Sequence, residues 1–175
     1  IYDGVKFPRA VAMLDENLIV FIDQVNSDNE HTYDLAYHQR GKWAVRTASP
    51  WDPPQKRGYM HFRDAMCWNA NAGTTLRCDV SEGFSVVIQM AAGDPTEVIT
   101  ATGVGSNQTD RVPVVLFRRK AKEATYVWSI SLNGKPAKIE RLKSEAGVEV
   151  EVTSAAGKKW TLAVNPDASP AFAVE

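Results

Sequence analysis

The stretch SDNEHTYDLAYHQRG, residues 27–41, holds two histidines, two tyrosines and an aspartate. Imidazole and phenol groups at that density could move protons in a reaction on a sugar, with the rings stacking on the sugar itself. The alternation of the stretch reads as a strand, whose successive side chains face opposite sides. His31, Tyr33, Leu35 and Tyr37 then share one face, and Thr32, Asp34, Ala36 and His38 the other. The two histidines do not act as one pair on a regular strand. Asp34 and His38 stand about 13 Å apart on their shared face, so neither face offers a triad. Two readings stand side by side. His31 with Tyr33 and Tyr37 is an acid–base and stacking surface, or the tyrosines fill the core and His31 caps a turn after Ser27-Asp28-Asn29.

Other residues bear on the same question. Arg118 and Arg119 lie on a strand that otherwise reads Val-Pro-Val-Val-Leu-Phe, between Arg111 and Lys120. They point to opposite faces. Guanidinium forks bind carboxylate and sulfate bidentately, which suits an acidic polysaccharide. A solvated strand end with local ion pairs is the competing reading. Among the five tryptophans, Trp51 in the proline-bearing loop SPWDPP is the best placed to stack on a sugar ring. The three histidines, 31, 38 and 61, show no helical i, i+4 spacing, and no metal site is expected. GVGSNQTD at 103–110 lacks the strand-to-helix context of a phosphate loop. No Ser-His-Asp order, nucleophile elbow or paired-carboxylate signature stands out, so no catalytic set emerges.

The elements that must position these residues are strands. VAML (11–14) and LIVFID (18–23) flank Asp15-Glu16-Asn17 as a hairpin, and His31 to Gln39 follows. GYMHFRDAMCW (58–68), TLRCDV (75–80), FSVVIQMAA (84–92), EVITATGV (97–104) and RVPVVLFRRK (111–120) continue the series. TYVWSISL (125–132), AKIERL (137–142), VEVEVTS (148–154) and KWTLAVN (159–165) close it. Asn133-Gly134 is the strongest hairpin signal. Prolines at 53, 54, 113, 136, 166 and 170 add to the case against helices. About a dozen strands with regular turn signals predict an antiparallel β-sandwich as a single domain over 1–175. In VEVEVTS the valines point inward and the glutamates to water, as on an edge or outer-sheet strand.

Composition sets the remaining bounds. The chain has 175 residues, 44% hydrophobic and 23% charged, which is ordinary for a globular protein. A formal net charge of −1 gives no global attraction to nucleic acid or an anionic membrane, and no apolar run is long enough for a membrane helix. Ile1 opens without an initiator Met or a leader, which reads as a processed chain or excised domain. Cys67 and Cys78 have no metal spacing. A turn at Ala72-Gly73 would set them opposite each other across a hairpin, with a disulfide or two buried thiols as the alternatives.

The run YDGVKFPRAVAMLDENLIVFIDQVNSDNEHTYDLAYHQRG resembles the C-terminal β-sandwich of heparinase II/III-like polysaccharide lyases. Arg9, Val11, Asp15, Asp23, Ser27, His31, Tyr33, Asp34 and His38 match the family's pattern here. TEVITATGVGSNQTDRVPVVLFRRKAKEATYVWSI also looks like the family's segment ending in a paired-arginine strand. The resemblance runs from Ile1 to about Leu132 and implies a supersandwich-like fold, the C-terminal part of a larger enzyme cleaving uronic-acid polysaccharides by β-elimination. In the family the base, the acid and the neutralising side chain come from an N-terminal helical toroid. The metal ligands and a further catalytic histidine lie in earlier β segments. This chain has neither a toroid nor an HxHxDxxSF-like segment. The resemblance therefore implies no catalytic residue, metal or cofactor here. The implied partners are an acidic polysaccharide and the toroid of the same enzyme, with no nucleic acid and no membrane. The implied location is the periplasm or the outside of the cell. His31, Tyr33, Trp51, Arg118 and Arg119 are the expected substrate contacts of an accessory, cleft-forming domain inactive alone. The alternatives are an independent carbohydrate-binding module and a protein-interaction sandwich.

Overall fold

A computed structural model describes residues 4–44, 48–107, 109–144, 147–165 and 172–174, and every regular element in them is a strand. Ile1, Gln108 and the prolines at 166 and 170 lie outside the described residues. The strands are β1 (Arg9–Asp15), β2 (Leu18–His38), β3 (Lys42–Ala44), β4 (Ser49–Pro50), β5 (Arg63–Asn69), β6 (Thr74–Ser81) and β7 (Phe84–Met90). They continue with β8 (Glu97–Val104), β9 (Arg111–Ser131), β10 (Lys138–Leu142), β11 (Val148–Thr153), β12 (Lys159–Val164) and β13 (Phe172–Val174). All pairings are antiparallel. The fold is an all-β sandwich, as the alternation predicts.

The larger sheet is built on β9. One flank of β9 pairs with β2 from Val114 to Ser131, and β2 pairs in turn with β1. The other flank forks. Arg111–Arg118 pair with β8, and Trp128–Ser131 pair with β7. From β8 the sheet runs through β5 to β4, and from β7 through β6 to β3.

A bulge folds this sheet on itself. Ser27 to Glu30 of β2 stand against Lys122 alone, and the Ser27 hydroxyl donates to the Asn29 carbonyl to close the bulge. Extra residues on one strand bend it and sharpen its twist. The two arms then face each other. Ile88, Trp128 and Ile130 of one arm meet Leu35, Val115 and Phe117 of the other in a shared core. Each such side chain contributes about 1.5–3 kcal/mol by leaving water.

Both outer faces are also covered. On the arm carrying β1, the smaller sheet β10-β11-β12-β13 sets Val148, Val150, Val152 and Leu162 against Ala12, Val20 and Ile22. VEVEVT alternates as its sequence predicts, with the three valines buried. On the other arm, Trp51, Tyr59 and Phe62 cover Ala65, Ile99 and Leu116.

Several expectations need correcting. The predicted strands at 18–23 and 31–39 are one strand, β2, and those at 111–120 and 125–132 are also one, β9. Their polar joints look like loops in sequence, but pairing across the bulge keeps them extended. GYMHF turns rather than extends, and β5 starts only at Arg63. Turn residues near 72–73 do not make a β5–β6 hairpin, because β5 pairs with β4 and β8 while β6 pairs with β3 and β7. Cys67 and Cys78 therefore sit on different arms, and both are free thiols. Asn133-Gly134 is a turn, with Gly134 at φ +69°, but it carries the chain from one sheet to the other instead of closing a hairpin. Pro113 is tolerated inside β9 because the donor it lacks would face Gln39, just past the end of β2.

Candidate functional site

Alternation places Asp34, Arg118 and Glu97 in one row on the outer face of the second arm. Asp34 of β2 stands directly opposite Arg118 of β9, and Arg118 directly opposite Glu97 of β8. The Arg118 guanidinium donates from Nε and Nη2 to the two oxygens of Asp34, at 2.7 and 2.8 Å. Its Nη1 lies 3.7 Å from Glu97. Trp51 and Tyr59 close over it, their ring centroids 5.2 and 5.4 Å from the guanidinium carbon. The Tyr59 hydroxyl donates to Asp34 Oδ2 as well.

This arrangement decides what the row can do. A planar cation under two aromatic rings, with its fork filled by a carboxylate, is stabilised several times over. The hydrogen bonds to Asp34 raise the Arg118 pKa, so the cation is permanent. Burial pushes the Tyr59 phenol up, and its bond to Asp34 adds to the effect, so Tyr59 holds its proton and serves as a donor, not a base. The fork of the guanidinium is thus filled from within the chain, with Glu97 on its remaining side. The row is a clamp that fastens the 51–62 cover to the sheet.

His31 and Tyr33 lie on the opposite face of β2, as the alternation predicts, with ring centroids 5.9 Å apart. The Tyr33 hydroxyl points to the Lys122 carbonyl at 3.4 Å, across the bulge. Between these two groups, a cavity of about 360 Å³ wraps the outer edge of β2, walled by Val5, Phe7, Leu35, Tyr33, Asp34 and Tyr59. That size suits a small ligand. Of the expected substrate contacts, Tyr33 lines the cavity. Trp51 and Arg118 meet each other behind Tyr59.

Arg119 goes elsewhere. It occupies the fork of β9, where the chain joining β7 to β8 crosses the gap between those strands. Its side chain is 3% exposed. Nε donates to Thr96 Oγ1 at 2.8 Å, and Nη1 donates to Asp94 at 3.1 Å and to the Thr125 carbonyl. Its carbon sits 4.3 Å from the centre of the Tyr126 ring. Burial lowers its pKa, and Asp94 opposes that shift. On sequence both arginines are expected glycan contacts. The structure ties each guanidinium to partners within the protein.

A second buried ionic group lies on the first arm. Asp23 is 0% exposed, takes two hydrogen bonds from Arg9 and one from Trp128 Nε1 at 2.7 Å. Phe21 stacks on Trp128 with centroids 4.0 Å apart. Sequence reading missed Tyr59 and Tyr126 as members of these sites. Tyr59 came from a segment read as strand, and no local signal places its ring over β9. Among the described residues no group of histidine, cysteine and carboxylate side chains could hold a metal ion.

No protein-family model and no curated protein matches the chain. Among solved structures it is similar to a heparinase III gene product with methylated lysines, at a TM-score of 0.64 and 18% identity, over 92% of this chain and 23% of that one. The chain thus spans under a quarter of that protein's length, and at this identity the likeness establishes the fold.

Proposed function

We propose that the chain is the β-sandwich part of a uronic-acid polysaccharide lyase. It supports and lines the cleft beside a helical toroid of the same enzyme, outside the cytoplasm, and does not turn over alone. The observation that carries this reading is the shared fold with part of a heparinase III. In β-elimination a base takes the C5 proton, the uronate charge is neutralised, and an acid protonates the departing glycosidic oxygen. The residues at hand are poorly suited to those tasks. Tyr59 keeps its proton, Arg118 is filled by Asp34, and Arg119 is buried. Their contribution is a rigid wall.

The test is to incubate the 175-residue chain with sulfated and unsulfated uronic-acid polysaccharides and follow the ultraviolet absorbance of unsaturated uronate. No rise is expected, and a clear rise overturns the accessory role. Saturable binding of uncleaved glycan, lost in Trp51→Ala, would instead favour an independent carbohydrate-binding module. The cavity beside Tyr33 and Tyr59 is the observation on that side.

A further inference from the structure

Asn133-Gly134 brings together two groups that can react with each other. The nitrogen of the peptide after an asparagine can attack the side-chain carbonyl carbon and close a five-membered ring. A glycine in the next position leaves that nitrogen open to the approach, because it has no Cβ. Among the asparagines of the chain, Asn133 alone is followed by glycine. At every other asparagine a Cβ, or a proline without an N–H, stands in the way.

The local geometry favours that ring closure. Asn133 is exposed to water, and Gly134 sits at φ +69°. The Lys135 N–H donates to Asn133 Oδ1 at 3.0 Å. A turn closed through the side chain in this way folds the amide carbonyl back over the Gly134 peptide, so the reacting groups are close before they react. The same Lys135 N–H faces the oxygen that turns negative when the carbonyl carbon is attacked. Arg77 Nη1 donates to the Gly134 carbonyl at 3.3 Å and pins the turn in this form.

We propose that Asn133 is a site of spontaneous deamidation, where the chain reacts with water and thereby loosens the joint between its two sheets. The Gly134 nitrogen gives its proton to solvent and bonds to Asn133 Cγ. The Cγ–Nδ2 bond breaks, ammonia leaves, and a succinimide ring remains. Water then opens the ring, giving aspartate by attack at the side-chain carbonyl or isoaspartate by attack at the main-chain carbonyl. One ammonia is lost for each water taken up, and nothing is oxidised or reduced. The consequence follows from position. This turn carries the chain from β9 of the larger sheet to β10 of the smaller. Isoaspartate lengthens the main chain by one methylene at that joint. Either product adds a carboxylate to a hollow of about 340 Å³ that Asp15, Glu16 and Lys135 also line. The smaller sheet is anchored just beyond, where the Ala137 N–H donates to Gln89 Oε1 at 2.6 Å. None of this depends on the lyase reading.

The chain is aged in mildly alkaline buffer beside the free peptide Ser-Leu-Asn-Gly-Lys, which has the residues of 131–135 without the fold. Peptide mapping by mass spectrometry follows both, and labelling with an isoaspartyl methyltransferase separates isoaspartate from aspartate. A gain of one mass unit is expected in the fragment holding Asn133, with isoaspartate among the products, at no less than about a tenth of the free peptide's rate. Asn133→Gln should stop it, because the longer side chain must close a six-membered ring. The aged chain should unfold at lower urea than the fresh one, with Asn133→Asp, which adds the charge without the methylene, between them. An intact Asn133 after the free peptide has converted overturns the proposal. So does equal conversion at another asparagine, or full conversion at Asn133 that leaves the urea midpoint where it was.

Discussion

Arg119→Ala is expected to lower the free energy of unfolding by about 4 kcal/mol, read from urea denaturation at unchanged pH. Two effects add. Truncation empties a volume that the fork of the sheet cannot close, because β7 and β8 are fixed by their ladders on β9. It also leaves the Thr96 hydroxyl and the Thr125 carbonyl without the donors they face. Arg119→Met fills much of the volume without the charge and should recover part of the loss, since replacing a buried ion by an apolar chain of similar size costs less than removing it. Equal stability of the alanine variant and the wild type would mean that the guanidinium contributes nothing to joining the two arms.

Arg9→Ala is the second large effect, about 3 kcal/mol. Asp23 is wholly buried, and without Arg9 its carboxylate keeps only Trp128 Nε1 among these donors. Breaking a buried pair by removing one member strands a charge in low dielectric. Arg9 itself is 41% exposed, which puts the figure at the lower end of the usual range for such losses. Trp128 reports the change directly. It bonds to Asp23 and stacks on Phe21, so its fluorescence should alter in the folded variant. A variant as stable as the wild type, with the same emission, would contradict this account of Asp23.

The sequence was legible wherever alternation was clean. The β1–β2 hairpin, the β8 segment EVITATGV and the VEVEVT strand all form as their patterns predict. What stayed hidden depends on long-range pairing. Asn26 to Glu30 are polar and Lys120, Lys122 and Glu123 are charged, so each run reads as a joint, yet the bulge on β2 holds both in one ladder and folds the sheet. Cross-sheet destinations were hidden for the same reason. Arg118 and Arg119 are neighbours whose opposite directions follow from the strand period, but one ends under two aromatic rings and the other in a fork. The fork exists only because β7 and β8 share a flank of β9, which no local pattern encodes. Asp34, one residue of the family-like HTYDLAYH run, is visible in sequence. Its part in a three-strand row is not.

That row is where the account is most exposed. If the histidine–tyrosine strand is a structural fastening, Asp34 and Arg118 must stabilise each other strongly. A double-mutant cycle on Asp34→Ala and Arg118→Ala, read by chemical denaturation alongside calorimetric titration with an acidic oligosaccharide, measures this. The account predicts a coupling of about 2 kcal/mol and no glycan binding that depends on Arg118. A coupling within about 0.3 kcal/mol of zero, together with wild-type binding that Arg118→Ala abolishes, would contradict it.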